Sequence, residues 1–439
     1  MSEATMEKIV SLTKRRGFIY QGSEIYGGLA GTWDYGPMGV ELKNNIKNLW
    51  WRMFVQERDD MYGMDAAILM HPKVWEASGH VAGFSDPLVE CTKCKKRFRE
   101  DHLEDKAKCP ECGGKLGEAR AFNMMFKTHV GAMEDASSVT YLRPETAGGM
   151  FVNFKNVMDS FHPKLPFGMA QIGKAFRNEI APRDFTFRSR EFEQMEIEYF
   201  VDPRDPKAVD AKFDELFDEQ MAFLKKIGLS DAKIHKIEVP ASDRAHYSKR
   251  SVDTEYDFPF GQKELLGLAY RTDFDLKAHS QMSTVELSYH DEETKERFTP
   301  HCIEPTFGVD RLVLAALSDA YREEGSGDDL RVFLALPKEI APVKAAVFPL
   351  LKNKPELVAK AREVYAMLKK EIPQIMFDDN GNIGKRYRRQ DEIGTPYTVT
   401  IDFDTLGETP EHKDTVTVRN RDTGEQERVM ISELASRIR

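Results

Sequence analysis

The 439-residue chain lacks the long apolar runs and the cysteine density that mark membrane and disulfide-rich secreted proteins. Its longest apolar runs, Val332–Pro337 and Leu312–Leu317, are far shorter than the about 18 residues that a membrane-spanning helix needs. The first residues, MSEATMEKIV, have no basic start followed by an apolar stretch, which a secretory signal requires. Five cysteines are too few for a disulfide scaffold. We therefore expect a cytoplasmic protein that has no membrane partner.

Internal repeats, low-complexity tracts and an excess of basic residues are missing as well. Lys and Arg number 63 and Asp and Glu number 73, and the net charge of −10 argues against indiscriminate nucleic-acid binding. A local basic patch for one RNA is compatible with this balance. Hydrophobic residues make up 41% of the chain, which is enough to bury a sizeable core, and the length predicts two or three domains.

The spacing of apolar residues predicts an antiparallel-rich α+β domain over residues 1–329, followed by a smaller α/β domain over residues 330–439. The polar stretch GSGDD at about 325–330 has the composition of a linker between them. Helices are predicted at about Pro37–Gln56, at Pro206–Ile227 and from Pro355 onward, and strands at 64–70, 192–200, Val332–Pro337, part of Ala345–Leu350, Tyr397–Phe403 and Thr415–Val418.

Four of the five cysteines form two closely spaced pairs, Cys91 with Cys94 and Cys109 with Cys112. Thiolates two residues apart on a tight turn can reach one zinc ion, and two such pairs complete a tetrahedron that has no open position for water. The sequence therefore predicts a structural zinc-knuckle insertion at about residues 88–118. The alternative is a set of buried or free thiols. Cys302 lies outside the pattern and is expected to be a small buried hydrophobe.

Residues 173–200 predict an arginine-rich hairpin whose loop lies around Ile180–Asp184. Arg177, Arg188 and Arg190 can approach one anion, for which the planar fork of donors of a guanidinium group is suited. Phe192 can stack on a base, and Glu179 can accept a hydrogen bond from an exocyclic amine. The alternative is a solvated hairpin whose charges pair with one another.

The second strand of this hairpin, residues 192–200, places apolar and acidic side chains on opposite faces. Met195, Ile197 and Tyr199 share one face, and the other carries Phe192, Gln194, Glu196 and Glu198. Carboxylates repel one another on one face, so the pattern predicts a cationic or amine partner there.

Residues 304–321 predict a strand, a glycine turn and an apolar helix. Gly308 would let the backbone approach a ligand closely. Arg311 falls in the first turn of the helix, where a cation is unfavourable for the helix dipole, and this indicates another role. The alternative is that Arg311 simply pairs with a nearby carboxylate such as Asp310 or Glu304.

These two segments, in this order, resemble motifs 2 and 3 of the class II aminoacyl-tRNA synthetases, with Phe176–Glu179 and Gly308–Arg311 as the signatures. Pro72 matches the proline of motif 1, the dimer element. More specifically, the chain resembles the homodimeric glycyl-tRNA synthetases. The matching stretches span nearly the whole chain and are GGLAGTWDYGPMG (27–39), SGHVAGFSDPLVEC (78–91), RPETA (143–147), FRNEIAPRDFTFRSREFEQMEIEYF (176–200), RTDFDL (271–276) and RRQDEIGTPYTVTIDFDTL (388–406).

This resemblance implies ATP-dependent ligation of glycine to glycine tRNA through a glycyl-adenylate, with Mg²⁺, in a homodimer. Arg177 and Arg311 would be the catalytic residues and would hold the α- and γ-phosphates. The implied ATP-binding set is Arg177, Asn178, Glu179, Phe187, Arg188, Phe192, Glu264, Leu265, Gly308 and Arg311. The implied glycine-binding set is Glu145, Glu196, Glu304 and Thr306.

The chain departs from the family pattern at three positions, where Thr306, Gly148 and Tyr270 replace serine, glutamine and asparagine. Two other functions stay open: a class II synthetase of the proline or threonine type, and a non-catalytic RNA-binding protein on a synthetase scaffold. The RPETA and FEQME segments argue against the first. The presence of Arg177 and Arg311 argues against the second.

A cluster of four cations and one aromatic lies in the smaller domain, at Lys385, Arg386, Tyr387, Arg388 and Arg389. Such a cluster suits phosphate contacts with a base stacked on the ring. The resemblance implies that residues 330–439 form an anticodon-binding domain, so the cluster is predicted to bind tRNA. The alternative is a solvated charged turn.

Overall fold

The fold was analysed in a computed structural model that describes residues 5–245 and 247–439. Its helices, in chain order, are α1 (Met6–Arg15), α2 (Pro37–Trp51), α3 (Lys73–Ala77), α4 (His80–Gly83), α5 (Ala147–Phe161), α6 (Pro206–Lys226), α7 (Phe274–Ser283), α8 (Val309–Ala320), α9 (Pro355–Glu371), α10 (Ile383–Ile393) and α11 (Leu434–Ile438). Within the described residues, no helix combines the length and the apolar character that crossing a bilayer requires.

The strands fall into one large sheet, one sheet of five strands and several small ribbons. In chain order they are β1 (Ile19–Gln21), β2 (Trp33–Tyr35), β3 (Met61–Met64), β4 (Ser85–Glu90), β5 (Arg97–Arg99), β6 (Arg120–Asn123), β7 (Lys127–His129), β8 (Val139–Tyr141), β9 (Phe167–Phe176), β10 (Glu191–Val201), β11 (Ile234–Glu238), β12 (Arg250–Phe258), β13 (Gly261–Thr272), β14 (Tyr289–His290), β15 (Arg297–Phe298), β16 (His301–Gly308), β17 (Tyr321–Glu324), β18 (Arg331–Leu334), β19 (Ala345–Pro349), β20 (Ile375–Phe377), β21 (Tyr397–Ile401), β22 (Thr415–Asn420) and β23 (Gln426–Met430).

The large sheet has the order β11-β12-β13-β16-β10-β9-β3. All neighbours are antiparallel except β3, which pairs with β9 in parallel. Helices α2, α6 and α8 pack on one face, where their apolar side chains bury Met195, Ile197 and Tyr199 of β10. Helices α5 and α7 cover part of the other face around Phe167 and Phe200. This confirms the predicted α+β class and the predicted apolar face of β10.

The helix predicted at Pro37–Gln56 consists of α2 and one π-helical turn, Arg52–Gln56. The strand predicted at 64–70 is wrong, because the chain joins the sheet earlier, at Met61–Met64. Beyond Met64 the chain turns to other partners. The carbonyl of Ala66 accepts from Arg143 Nη1 at 2.7 Å, and Leu69 makes an isolated bridge to Leu142.

The cysteine-containing insertion folds around a three-stranded sheet with the order β5-β4-β6. Its small core consists of Val89 and Leu116 together with the cysteines. The insertion leaves the domain built on the large sheet after α4 and returns to it through β6. Both of its ends therefore lie beside the large sheet.

The second sheet has the order β20-β19-β21-β22-β23 and carries its own core with α9 and α11. That core begins at Ala345, later than the predicted boundary at residue 330. The reason is that β18 pairs with β17, and Leu334, Leu336 and Ile340 pack into the core of the catalytic domain. The strand predicted at Val332–Pro337 is correspondingly shorter and earlier, Arg331–Leu334.

Candidate active site

Strands β9, β10, β13 and β16 and the start of α8 surround a cleft of about 320 Å³. Its wall includes most of the residues assigned to ATP by resemblance, namely Arg177, Glu179, Phe187, Arg188, Phe192, Glu264, Leu265, Gly308 and Arg311. Asn178, also assigned to ATP, is not part of this wall, and its backbone N–H donates to the carbonyl of Met124 at 2.8 Å. The structure therefore brings together residues that are separated by more than a hundred positions in the sequence.

Arg177 follows directly after β9 and enters the cleft between two aromatic rings. Its guanidinium carbon lies 5.3 Å from the ring centres of both Phe84 and Phe192. Its Nε donates to the carbonyl of Pro144 at 3.1 Å, and the terminal nitrogens have no hydrogen-bond partner within the described part of the chain. The guanidinium group is thus held in place while its outer donors stay available for an anion.

The loop between β9 and β10 carries Glu179 and Arg188, which form a loose pair at 3.4 Å. Glu179 is buried, and its carbonyl accepts from Arg190 Nη2 at 3.1 Å. The alternative of a hairpin laced with its own salt bridges explains this loop only in part. The Arg188–Glu179 distance is long for an ion pair, and Arg177 has no acid partner within 4 Å in the described chain.

Arg311 reaches the cleft from the first turn of α8. Its Nη1 lies 3.2 Å from Glu264 Oε2, and its guanidinium group covers the ring of Phe187 at 4.4 Å. The alternative that Arg311 pairs with a nearby carboxylate therefore holds in part, but the carboxylate is that of Glu264 and not that of Asp310 or Glu304, which have other partners. Asp310 accepts from the hydroxyl of Tyr35, and Glu304 from Arg271.

A buried cluster of acidic side chains, here called the carboxylate pocket, adjoins the cleft at Thr306. The register of β10 and β16 places Glu196 opposite Thr306, whose hydroxyl donates to Glu196 Oε1 at 3.1 Å. The other oxygen of Glu196 accepts from the N–H and the hydroxyl of Thr146. Burial, and next the charge of Glu145, raise the pKa of Glu196.

Glu145 enters this pocket from the segment before α5. That segment is anchored by the buried Arg143, whose Nε donates to the carbonyl of Lys174 at 2.6 Å. A side chain at Gly173 would collide with Arg143, since an added Cβ would lie 2.2 Å from its Nη2. Burial opposes ionisation of Glu145, but His80, 3.4 Å away, and the charges of Arg271 and Arg177 together outweigh it and hold the pKa of Glu145 below its usual value.

The cation of this pocket is Arg271, a residue to which the sequence analysis assigned no role although it opens the matching RTDFDL stretch. Arg271 is 3% exposed, donates to Glu304 at 2.7 Å and forms a two-pronged pair with Asp275 at 2.8 Å. Burial raises the pKa of Glu304, with Arg271 opposing and Glu196 and Glu145 adding to the shift. One guanidinium group therefore serves several carboxylates.

Glu198 lies two residues further along β10 and is fully buried. Its Oε2 accepts from the thiol of Cys302 at 2.9 Å, and its Oε1 has no hydrogen-bond partner among the described residues. Burial, and next the charge of Glu304, raise the pKa of Glu198 well above the usual value. Cys302 is a buried residue, as predicted, but it also serves as a donor to this acid.

The four cysteines of the insertion converge, with all four sulfur atoms within 4.8 Å of one another. Cys91 Sγ lies 3.5 Å from Cys112 Sγ, and Cys94 Sγ lies 3.7 Å from Cys109 Sγ. A tetrahedron with zinc–sulfur bonds of about 2.3 Å has sulfur–sulfur edges of about 3.8 Å, so the donor set fits zinc.

The two cysteine pairs sit on matching turns. The carbonyl of Cys91 accepts from Lys95 N, and the carbonyl of Cys109 accepts from Gly113 N at 2.9 Å. Both turns place the residue after the second cysteine in the left-handed region, Lys95 at φ 61° and Gly113 at φ 66°. Gly113 therefore performs the predicted turn, and Lys95 adopts the same geometry with a side chain.

The basic cluster of the second domain lies on α10 and divides into two classes. Lys385 and Arg388 are exposed. Arg386 is 1% exposed and donates to the carbonyls of Pro349, Asp379 and Gly381. The hydroxyl of Tyr387 forms a hydrogen bond with that of Thr400 at 2.6 Å. Arg389 pairs with Asp378 at 2.7 Å. The alternative of a solvated turn is wrong, since the cluster is helical and partly buried. Arg386 has a structural role, which leaves Lys385 and Arg388 as the accessible cations.

Comparison with known proteins agrees with this architecture. Residues 126–320 match the tRNA synthetase class II core domain (G, H, P, S and T), and residues 344–439 match the anticodon binding domain. The glycine–tRNA ligases of Alkaliphilus oremlandii and Clostridium tetani are each 50% identical, over 99% of this chain and 98% of theirs. That of Treponema denticola is 50% identical over 99% of this chain and 96% of its own length. The chain therefore belongs to the glycine–tRNA ligases, a family of class II aminoacyl-tRNA synthetases.

Proposed function

We propose that this protein ligates glycine to glycine tRNA in two steps at the cleft, using ATP. In the first step the glycine carboxylate attacks the α-phosphorus, the bond to the bridging oxygen breaks, and pyrophosphate leaves. In the second step a ribose hydroxyl at the 3′ end of the tRNA attacks the glycyl carbonyl carbon of the adenylate, the bond from that carbon to the phosphate oxygen breaks, and AMP leaves. The observation that carries the proposal is the position of Thr306. This residue lines the cleft that contains the arginines and donates a hydrogen bond to Glu196 of the buried carboxylate cluster.

In this proposal Arg177 holds the α-phosphate and Arg311 the γ-phosphate. Arg177 is suited to this role because Phe84, Phe192 and Pro144 fix its guanidinium group and leave its outer donors available. The adenine lies against Phe192, and Glu179 accepts from its amine. No side chain acts as a nucleophile, so catalysis consists of positioning and of donors placed where negative charge develops.

Glycine is recognised in the carboxylate pocket by its ammonium group, the main handle that this amino acid offers. Glu145 is the ionised partner that the geometry favours, because His80 keeps its pKa low. Glu196 and Glu304 complete the pocket with Thr306, which also ties Glu196 to the nucleotide cleft. A pocket closed around a CH₂ group excludes larger amino acids by overlap, since overpacking costs about 1–3 kcal/mol per added group.

Two inorganic ions belong to the proposal. Mg²⁺ would arrive with ATP and neutralise charge on the triphosphate. Zinc would be held by Cys91, Cys94, Cys109 and Cys112, whose sulfur geometry fits a closed tetrahedral site. Metal analysis should find one zinc per chain, and four native thiols that titrate freely in metal-free protein as purified would contradict this.

We also propose that the protein binds glycine tRNA, forms a homodimer and is located in the cytoplasm. The second domain is proposed to bind the anticodon stem of glycine tRNA, with Lys385 and Arg388 as its candidate phosphate contacts on α10. The homodimer rests on the resemblance of α2 and Pro72 to the dimer element and is tested by sedimentation equilibrium.

The deciding experiment is amino-acid-dependent ATP–pyrophosphate exchange with each of the twenty amino acids, followed by charging of purified tRNAs. Exchange with glycine alone and charging of glycine tRNA are expected. Exchange that prefers proline or threonine would support another class II enzyme. No exchange with any amino acid, together with tRNA binding, would support a non-catalytic scaffold.

A further inference from the structure

The cysteine-containing insertion is hydrogen-bonded to the loop that carries the nucleotide arginine. At its base the carbonyl of Phe84 accepts from Met124 N at 2.9 Å, which closes the two ends of the insertion. The carbonyl of Met124 then accepts from Asn178 N at 2.8 Å, one residue after Arg177. Backbone hydrogen bonds therefore join the base of the insertion to the loop after β9.

The side chains of the insertion also reach the cleft. Phe84 supplies one of the two rings that hold the guanidinium group of Arg177. Arg99 and Met124 are part of the cleft wall. Arg99 is the last residue of β5 and lies opposite Leu88 of β4, so its position depends on the strands that lead into and out of the first cysteine pair.

Arg99 does not offer a free charge to a nucleotide, because two aspartates hold it. It pairs with Asp86 at 2.5 Å and with Asp101 at 2.6 Å, and its side chain is only 16% exposed. Asp86 is itself buried. Burial raises the pKa of Asp86, the charge of Arg99 lowers it, and the charge of Glu179 raises it further. Asp86 therefore interacts electrostatically with Glu179, the predicted adenine contact.

We propose that the insertion is a wall of the ATP site, with Phe84 and Arg99 as positioning residues, and that metal on its four cysteines strengthens ATP binding. Arg99 keeps the buried Asp86 neutralised, so that Glu179 and Arg188 stay in their positions. Phe84 keeps Arg177 aimed into the cleft. Zinc orders β4 and β5, since Cys91 follows β4 directly and Cys94 lies three residues before β5. This proposal rests on the ATP-dependent reaction proposed above.

The test compares two arginines of the same strand. Arg97 of β5 is 62% exposed and pairs with Glu90 away from the cleft wall, so Arg97→Ala is the matched control for Arg99→Ala. We expect Arg99→Ala to raise the ATP KM in exchange about tenfold, as for a lost positioning contact, with glycine KM unchanged. Arg97→Ala should behave as wild type, and Arg99→Lys should restore part of the loss.

The second arm removes the metal. ATP binding is measured by calorimetry, without turnover, on protein as purified, after chelation, and after zinc is added back, with zinc content determined for each sample. Affinity should fall on chelation and return with zinc, and Cys109→Ser should match the chelated protein. Thermal unfolding establishes that each sample is folded, and Phe84→Leu provides a second variant for the wall.

An equal ATP KM in Arg99→Ala and Arg97→Ala would overturn the proposal, and so would an unchanged ATP affinity in chelated protein. Parallel losses of ATP affinity, glycine affinity and melting temperature in Arg99→Ala would also overturn it, because they would give Arg99 a structural role only. If wild-type protein shows no glycine-dependent exchange, the proposed function itself fails. If wild-type exchange is normal and Arg99→Ala is unaffected, only this inference fails.

Discussion

The cleft has two halves that solve opposite electrostatic problems. The half proposed for the nucleotide is lined by Arg177, Arg188 and Arg311, all partly open to solvent, and only Arg188 and Arg311 lie near a carboxylate, those of Glu179 and Glu264. The half proposed for glycine is closed, with Glu196 at 2% and Arg271 at 3% exposure and carboxylates outnumbering the cation. An ATP molecule brings its own negative charge and needs available donors, whereas glycine offers one ammonium group and little else.

Burial determines how much free energy each half loses through desolvation of its charged groups. The partly open arginines keep part of their hydration, so their charges are less costly than fully buried ones. Buried carboxylates are destabilising unless they are paired with a cation, hydrogen-bonded or able to take up a proton. Arg271 pairs with Glu304, the pKa of Glu198 is raised, and Glu196 accepts from two threonines. The glycine half therefore depends more strongly on each single contact.

The largest effect should come from the cationic half. Arg177→Ala and Arg311→Ala should each reduce glycine-dependent pyrophosphate exchange roughly 100–1000-fold, because one charge-stabilising donor is worth about 3–4 kcal/mol. Arg183→Ala is the control, since Arg183 is an exposed arginine of the same loop. Exchange within a fewfold of wild type in either cleft variant would remove the role proposed for that arginine.

The acidic half should respond through a different constant. Glu145→Gln and Glu196→Gln should raise the glycine KM roughly 10–100-fold with little change in the ATP KM, since hydrogen bonds to charged groups contribute about 1.5–3 kcal/mol. Glu191→Gln on the same strand is the control, because Glu191 is exposed and pairs with Lys174. An unchanged glycine KM and kcat in either pocket variant would show that its carboxylate is structural.

The contrast between open and engaged cations extends to α10. Lys385→Ala with Arg388→Ala should raise the tRNA KM a fewfold and leave exchange unchanged, because each exposed charge contributes about 0.2–1 kcal/mol. Arg386→Ala should instead lower the melting temperature, since it removes a buried group bonded to three carbonyls. A tRNA defect in folded Arg386→Ala as large as that of the double variant would contradict this division.

The smallest effect concerns an acid at the edge of the cationic half. Burial, and next the charges of Glu264 and Glu255, raise the pKa of Asp253 to about 6. The folded protein then binds a proton that the unfolded chain releases near pH 4, so this group makes stability fall as pH rises from about 4 to 6. Asp253→Asn should flatten that part of the pH profile in urea unfolding. A wild-type profile in the variant would show that Asp253 titrates normally.

Local patterns predicted much of the fold. Helix α6 begins at Pro206 as predicted, since the spacing of Val209, Phe213 and Leu216 leaves one interpretation. The alternation along β10 correctly separated core side chains from cleft side chains, because a strand turns successive residues to opposite faces. The strand at 64–70 was wrong because residues 66–70 pack against neighbours outside the sheet, and spacing carries no information about those partners.

The sequence by itself determined the family, the cysteine set and the arginines and glutamates proposed for the two substrates, because each is a residue type at a recognisable spacing. Only the tertiary structure decided which charges neutralise which. It paired Arg271 with Glu304, bonded Arg386 to the carbonyl of Pro349, and set Phe84 and Arg99 of the insertion beside the nucleotide cleft. Pairing depends on distance and burial after the chain has folded, and residues more than thirty positions apart carry no local signal of that contact.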